Sequence, residues 1–492
     1  MKLKEILEGL DGIRRIEGKT SIEIKGLACD SKAVKEDHLF IAIKGSRFDG
    51  ADFIDEAVNR GASAVILESK RDNAFLFRKG PTYIYVDDAK SALSRVSMGF
   101  YGDVSSRMHL VGVTGTNGKT TTTYLLESLF KRTFKASGII GTINYRFGDR
   151  IIPAYNTTPG VLAIYSFLSS MEKGGIKSCI IEVSSHSLEQ RRVDTLNFDI
   201  AVFTNLTNEH LDYHGSIENY LASKTRLFTK IKKGGYAVLN GDDPCSQKII
   251  EKAKLKDTAN IITYGIENTQ DVSGEDIIFS DKGLRFKLCL NRDSIEITSR
   301  LIGRHNIYNI LASASCGVAM GMSLEDIRRG IEEVSTLPGR LERIDCGQDF
   351  SVFVDYAHTE NGLENALSAL KGLKPKRLLT VFGCGGDRDK SKRPHMGRIS
   401  SELSDKIFIT SDNPRSEEPM DIIKQIIKGI RNKKDNYAIE VDRFKAILEA
   451  LKEAKEGDIV LVAGKGHEAY QVFKNTTLPF DDREVVRKIL TK

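Results

Sequence analysis

At 492 residues, with 40% apolar and 28% charged positions and a net charge of +6, the chain exceeds the size at which one core stops growing, so two to four domains are expected. The charge is not concentrated in any block, which suits anionic small substrates and gives no support for nucleic-acid binding. No apolar run is long enough to span a membrane, the start Met1-Lys2-Leu3-Lys4-Glu5 has no signal-peptide core, and seven scattered cysteines without a CxxC pair argue against zinc or a disulfide framework, so a cytoplasmic protein is expected.

Residues 1–90 alternate short strand-like runs (39–43, 64–67 and 83–86) with turns, and a helix near 53–60 is closed by Gly61. A small α/β domain is expected there. Its polar turns, Asp30-Ser31 and Gly45-Ser46-Arg47-Phe48-Asp49-Gly50, read by themselves as loop chemistry.

Residues 91–336 form the expected second domain. The apolar run 109–113 reads as a buried strand that breaks into Gly115-Thr116-Asn117-Gly118-Lys119-Thr120-Thr121, after which 120–130 has helical spacing. Gly115 and Gly118 let the backbone approach an anion, so loop N–H groups and the helix N-terminus can cradle phosphate oxygens. Lys119 would place a cation on the β- and γ-phosphates, and the Thr120 hydroxyl would ligand Mg²⁺. The generic phosphate-loop glycine is displaced by one residue, since Val113 stands at its position. The match is to a variant loop for ATP or GTP, with a structural strand–turn–helix as the alternative.

Two further strand-to-loop transitions follow, at Glu182-Val183-Ser184-Ser185-His186 and at Thr204-Asn205-Leu206-Thr207-Asn208-Glu209-His210. In an open parallel sheet, ligands bind beyond the carboxyl ends of strands. Glu182 and Glu209 are therefore placed to reach a phosphate-bound metal, or else are carboxylates favoured by helix N-termini. Lys224, on a helix over 216–231, reads from the sequence as a surface lysine. Asn306 and Asn309 share a helical face and suit either a base or ribose or a cap.

The segment Leu337-Pro338-Gly339-Arg340 reads as a joint, and residues 337–492 repeat a doubly wound pattern with strands at 352–355, 378–382, 406–410, 438–441 and 459–463. Four of these lead into polar loops: Asp355-Tyr356-Ala357-His358, Gly383-Cys384-Gly385-Gly386-Asp387-Arg388-Asp389, Ser411-Asp412-Asn413-Pro414-Arg415, and Gly464-Lys465-Gly466-His467-Glu468. A structural sheet has no need of so much charge and glycine on one edge. That edge reads as a second wall facing the phosphate loop.

Together with Asn156-Thr157-Thr158-Pro159-Gly160 and His210-Leu211-Asp212-Tyr213-His214-Gly215, these motifs resemble those of the Mur ligase family over residues 26–482, and within it the type that adds the third residue of the peptidoglycan stem. The resemblance implies an α/β fold of three domains: an N-terminal α/β domain for the uridine nucleotide, a central phosphate-loop ATPase with a mainly parallel sheet, and a C-terminal Rossmann-like doubly wound domain. It implies ATP-dependent amide formation through an acyl phosphate, with UDP-MurNAc-L-Ala-D-Glu as substrate and Mg²⁺ as cofactor, in a monomer.

Carried over by position, Ser31, Ser46, Arg47 and Phe48 match contacts to the uridine nucleotide. Asn156, Thr157, Thr158, Ser184, Gln190 and Arg192 match those to the muramoyl-dipeptide. Lys119, Thr120, Glu182, Glu209 and His210 match the ATP and metal machinery, and Asn306, Arg340 and Asp355 positions around the nucleotide. Lys224 matches a lysine that the family carbamylates, which reverses the surface reading. One departure is visible: after Tyr356-Ala357-His358-Thr359 the family has proline, and here Glu360 and Asn361 follow.

The acceptor amino acid is expected to be meso-2,6-diaminopimelate. Asp412-Asn413-Pro414-Arg415 resembles the loop of ligases for that substrate. The far end of diaminopimelate carries an ammonium and a carboxylate, whereas that of lysine carries an ammonium alone. Arg415 offers a planar fork for the carboxylate, with Arg388 as second cation and Glu468, beside Gly464, for the ammonium. The alternatives are the L-lysine-adding form of the same ligase and a non-catalytic nucleotide-binding switch.

Overall fold

The structure, a computed structural model, describes residues 1–45, 48–69, 80–207, 209, 211–280, 282–430, 436–474 and 476–491. It is an α/β protein built on three main sheets. The first runs Ile13–Glu17, Thr82–Val86, Ala62–Glu68, His38–Ile41, Gly26–Ala28, antiparallel at its first pair and parallel thereafter. The helix Ile54–Asn59 packs on it and stops where Gly61 takes φ +105°, with Glu36 Cα only 2.8 Å from where a Cβ would stand. Only glycine fits that approach.

The central sheet has eleven strands. Its parallel core lies between Gly138–Ile140 and Val272–Ser280, with His109–Thr114 flanked by Ser178–Glu182 and Phe198–Phe203. Strands buried on both faces read as continuous apolar runs, and these were legible as such. Successive residues of His109–Thr114 feed opposite cores. Val111 and Val113 meet Leu125, Leu129 and Ile310, on the helices Lys119–Phe134 and Arg304–Ala319. Leu110 joins the opposite core, with Leu168 and Leu227 from Val161–Lys173 and Ile217–Phe228. Both edges of the sheet are antiparallel, by Asn144–Phe147 with Arg150–Pro153 at one end and Gly283–Leu290 with Asp293–Ser299 at the other. These half-exposed strands carry interleaved polar residues and were not resolved in the sequence.

The third sheet runs Glu342–Ile344, Ser351–Asp355, Ile459–Ala463, Leu378–Phe382, Lys406–Ile409, Tyr437–Ile439. All pairs but the first are parallel, so four loop-bearing strands end on the same edge. Helices Glu360–Lys371, Lys392–Leu403 and Pro419–Ile427 cover one face, and Arg443–Glu453 and Asp482–Leu490 the other. The connection from the central sheet passes through Gly339 (φ +64°), whose carbonyl accepts the Tyr356 N–H. A Cβ on Gly339 would lie 2.2 Å from the His467 backbone nitrogen. No helix among the described residues is long and apolar enough to cross a membrane.

Candidate active site

The phosphate loop is closed by contacts that only glycine permits. Gly115 has φ +146° and Gly118 φ +88°; Cβ atoms there would stand 1.8 Å from Thr204 Oγ1 and 2.3 Å from Asn309 Oδ1. Asn309 Nδ2 donates to Asn306 Oδ1 (2.9 Å), and Asn306 Nδ2 to the Ile302 carbonyl (2.8 Å). Both asparagines are buried behind the loop and neither is a cap, since the helix opens at Arg304. The Lys119 ammonium donates to the carbonyls of Gly115 (3.0 Å) and Thr116 (2.8 Å). It is held over the loop where phosphate oxygens would replace those acceptors.

Glu182 ends its strand fully buried and is held by three donors: Thr120 Oγ1 (3.0 Å), Thr142 Oγ1 (2.8 Å) and the Thr142 N–H (3.0 Å). Thr142 had no signal in the sequence beyond following a strand. Facing this group across a cavity of about 310 Å³ are Arg340, Asp355, Tyr356, His358 and Thr359. Asn306, Glu209, Thr116, Asn117, Thr121 and His305 line the same cavity. Three hydrogen bonds cross it: Asn117 Nδ2 to Asn361 Oδ1 (2.7 Å), Thr359 Oγ1 to Glu209 Oε1 (3.0 Å) and Arg340 Nη2 to Thr120 Oγ1 (3.4 Å).

The Arg340 guanidinium also lies 5.1 Å from the Tyr356 ring centroid. Asp355 accepts the N–H groups of Leu341 (2.7 Å) and Ala357 (2.8 Å), and burial raises its pKa. It shapes the wall from behind. Desolvation brings His305 down to about 4, so it is neutral at neutral pH.

Lys224 does not keep the surface position that its helix spacing alone suggested. The helix Ile217–Phe228 turns Tyr220, Leu221, Ser223, Lys224 and Thr225 inward, leaving the lysine 1% exposed. Its ammonium nitrogen sits 2.8 Å from the Gly115 carbonyl and 4.3 Å from the Tyr220 ring centroid. Burial, then the positive charge of Lys119, lower its pKa well below the ordinary lysine value. Such a group is a neutral amine, and so a nucleophile, far more readily than a surface lysine. His210, Ser46 and Arg47 lie outside the described residues.

Thr158 Oγ1 donates to the Glu182 carbonyl (2.6 Å) and accepts the Ser184 N–H (3.0 Å), while Arg192 donates to the Thr158 carbonyl (2.5 Å) and to Gln190 Oε1. Thr157 Oγ1 lies 3.1 Å from Thr142 Oγ1, and the Asn156 carbonyl accepts from the Tyr145 hydroxyl. These six residues form one cluster running up to Glu182. Ser31 and Phe48 stand apart on the first sheet's loops. Ser31 Oγ donates to Glu56 (2.7 Å), and Phe48, 71% exposed, meets Phe53 edge-on.

Three loops converge beyond the third sheet. Arg415 (φ +52°) donates to the Gly386 carbonyl (2.7 Å), and Gly385 leaves room for Arg415 and exposed Arg388 side by side. Pro414 packs on Gly386, where a Cβ would meet its carbonyl oxygen at 1.9 Å. Asn413 Nδ2 donates to Glu468 Oε2 (2.9 Å), and the Asp412 carboxylate lies against Gly464 (φ +115°).

A buried ion pair missed in the sequence ties two of these loops together. Arg443 donates to both oxygens of Asp482 (2.8 and 2.7 Å) and to the carbonyls of Ser411 (3.4 Å) and Ala463 (2.9 Å). Its only sequence signal was an aspartate cap, Asp442, before an apolar helix.

Three family models match successive parts of the chain. Residues 23–101 match the family model described as Mur ligase family, catalytic domain; 113–317 match Mur ligase middle domain; 339–466 match Mur ligase, glutamate ligase domain. The chain is 41% identical over 492 residues to the UDP-N-acetylmuramoyl-L-alanyl-D-glutamate--2,6-diaminopimelate ligase of Caldanaerobacter subterraneus subsp. tengcongensis, covering 100% of this chain and 99% of the relative. It is 44% identical over 495 residues to the protein of that name from Solibacter usitatus, covering 100% and 98%. A solved structure of a ligase of that name superposes with a TM-score of 0.71 at 31% identity, covering 100% and 99% of the two chains. The fold extends to a MurF ligase from Thermotoga maritima in complex with ADP (TM-score 0.65, 22% identity, covering 94% and 96%). The chain belongs to the Mur ligase family.

Proposed function

We propose that this chain is an ATP-dependent, ADP-forming ligase that joins meso-2,6-diaminopimelate to UDP-MurNAc-L-Ala-D-Glu in cytoplasmic peptidoglycan precursor synthesis, acting as a monomer. What carries this reading is a cavity in which the phosphate loop faces Arg340, Asp355 and His358 of the C-terminal part, in a chain whose relatives along its whole length bear that activity's name. Residues 1–90 would hold the uridine nucleotide, 91–336 the ATP and 337–492 the acceptor amino acid.

In this reaction the D-glutamyl carboxylate attacks the γ-phosphorus, giving an acyl phosphate and ADP; the acceptor amine then attacks the acyl carbon and expels phosphate. Two anions must meet in the first step, so the chain's main task is to supply positive charge and alignment. Lys119 and Arg340 border the phosphate loop and would neutralise the transferring group, while the Gly115–Thr121 amides cradle it. Thr157, Thr158, Ser184, Gln190 and Arg192, joined to Glu182, would align the carboxylate.

Among the described residues no three acidic, histidine or cysteine side chains converge on a metal. That suits Mg²⁺, which takes one or two carboxylates and completes its shell with water and phosphate oxygens. Glu182, Glu209 and the Thr120 hydroxyl would hold it, and when bound it screens phosphate charge. Lys224, buried and inclined to be neutral, would add CO₂ and lose a proton to become a carbamate, an anionic oxygen ligand in place of a cation.

Phosphate release measured with UDP-MurNAc-L-Ala-D-Glu, ATP and either meso-diaminopimelate or L-lysine tests the reading. Turnover dependent on both substrates and strongly favouring diaminopimelate is expected. Equal or greater turnover with lysine overturns the acceptor assignment, and ATP binding without release overturns the reaction.

A further inference from the structure

Lys465 is a buried ammonium that the proposed reaction does not use. It lies between Gly464 (φ +115°) and Gly466 (φ +52°), two left-handed turns that direct the chain around it, and its side chain is fully buried. Nζ donates to Asn413 Oδ1 (3.2 Å) and Glu468 Oε2 (3.2 Å), and it lies 5.5 Å from the Tyr470 ring centroid. Asn413 Nδ2 donates to the same Glu468 oxygen, and Asn413 Oδ1 also accepts the Val472 N–H (3.0 Å). Asn413, Lys465 and Glu468 thus form a closed triangle. Glu468 Oε2 carries two donors within it, and Oε1 accepts no hydrogen bond among the described residues.

We propose that Lys465 sets the specificity for the acceptor by sharing the charge of Glu468, so that a distal ammonium is admitted only when a distal carboxylate accompanies it. This rests on the acceptor reading above. With Lys465 in place, an incoming ammonium gains one oxygen of a carboxylate already paired, and it approaches a second cation. For a lysine side chain that repulsion goes uncompensated. The far end of diaminopimelate brings its own carboxylate to Arg415 and Arg388, which offsets the repulsion. A site that discriminates by a built-in like charge is recognised by what it rejects, so removing that charge should relax the selectivity and not merely weaken binding.

The test is Lys465→Met, assayed for kcat/KM with meso-diaminopimelate and with L-lysine, and for the KM of ATP. Met keeps the length and apolar stem and leaves the Asn413–Glu468 bond possible. The ratio of kcat/KM values, diaminopimelate over lysine, is expected to narrow by about tenfold or more, with lysine turnover rising in absolute terms and the KM of ATP held within about twofold. Lys465→Arg, which keeps the charge, should retain the wild-type preference.

If both acceptors lose activity in proportion, Lys465 is structural and the proposal falls while the diaminopimelate reading stands. If the wild-type protein turns over neither acceptor, the underlying reading falls instead. Should the Met variant fail to fold, Lys465→Gln, which can still donate to Asn413 Oδ1, gives the same comparison, and an unchanged ratio there also overturns the proposal.

Discussion

Asn117 and Asn361, 244 residues apart in sequence, share a 2.7 Å hydrogen bond that joins the phosphate loop to the first turn of Glu360–Lys371 on the C-terminal sheet. Asn361 also accepts from Asn365 Nδ2 (2.8 Å), so its oxygen is fixed before the phosphate loop meets it. Replacing Asn361 with alanine removes an acceptor that crosses the cleft. A net hydrogen bond of about 1 kcal/mol corresponds to roughly a fivefold loss, expected in kcat/KM for ATP. Asn361→Asp keeps the acceptor and should restore most of the rate. Steady-state kinetics of the two variants check both statements.

Lys224 should be modified only while its amine is neutral. With ¹³C-labelled bicarbonate, a carbamate resonance is expected in the wild-type protein and not in Lys224→Met, and it should fade as pH falls and the amine takes up its proton. The variant should lose activity by about a hundred- to a thousandfold, in line with removal of a group that acts on transition-state charge.

In its unmodified form, with CO₂ excluded, Lys224 also gives the folded protein a pH dependence of definite sign. Its folded pKa lies well below that of the unfolded chain, so between the two values the unfolded chain binds the extra proton. Stability should therefore rise with pH across that window, and the slope of the apparent melting temperature above pH 7 should be smaller in Lys224→Met.

Histidines extend the same argument to acid. His305 and His467 are brought down to about 4 and about 3 by desolvation, against about 6.5 in an unfolded chain. Their neutral forms favour the native state fully above pH 6.5, and that contribution is lost as pH falls toward their folded values. The melting temperature should drop between pH 6.5 and 4, and less so in the double variant His305→Gln/His467→Gln.

Arg415 and the buried Arg443–Asp482 pair should separate binding from folding. Arg415→Ala is expected to raise the KM for diaminopimelate by more than tenfold, since a truncated charge pair loses about 2–5 kcal/mol, while the KM for ATP changes little. Asp482→Asn leaves Arg443 with an incompletely paired charge in a site where both side chains are fully buried. Breaking such a pair costs about 3–5 kcal/mol, to be read as a lower denaturant midpoint with little change in slope. Parallel changes in both KM values for Arg415→Ala would assign it to the scaffold.

The parallel cores and the phosphate loop were legible because both have strong local signatures: apolar runs buried on two faces, and glycines at positions where a Cβ would clash with Thr204 or Asn309. Lys224 was legible only through the family resemblance and not from spacing, because a helix lysine is read as exposed unless the face it occupies is known. Only the packing of Ile217–Phe228 against the strand ends fixes that face. Thr142, Arg443 and Asp482 act through partners 39 or 40 residues away in sequence, a separation over which residue spacing carries no information. The antiparallel strands at both edges of the central sheet were missed because their alternation of buried and exposed residues also suits surface loops.

Gly339, where the chain passes from the central sheet to the C-terminal one, lies directly beneath the backbone of His467. The linker is thus no free swivel. Any turning of the third sheet relative to the second that bends the chain at Gly339 would press on the loop that carries Lys465 and Glu468. A bulky residue at position 339 would then be felt first as misalignment of the acceptor's ammonium, far from the phosphate chemistry.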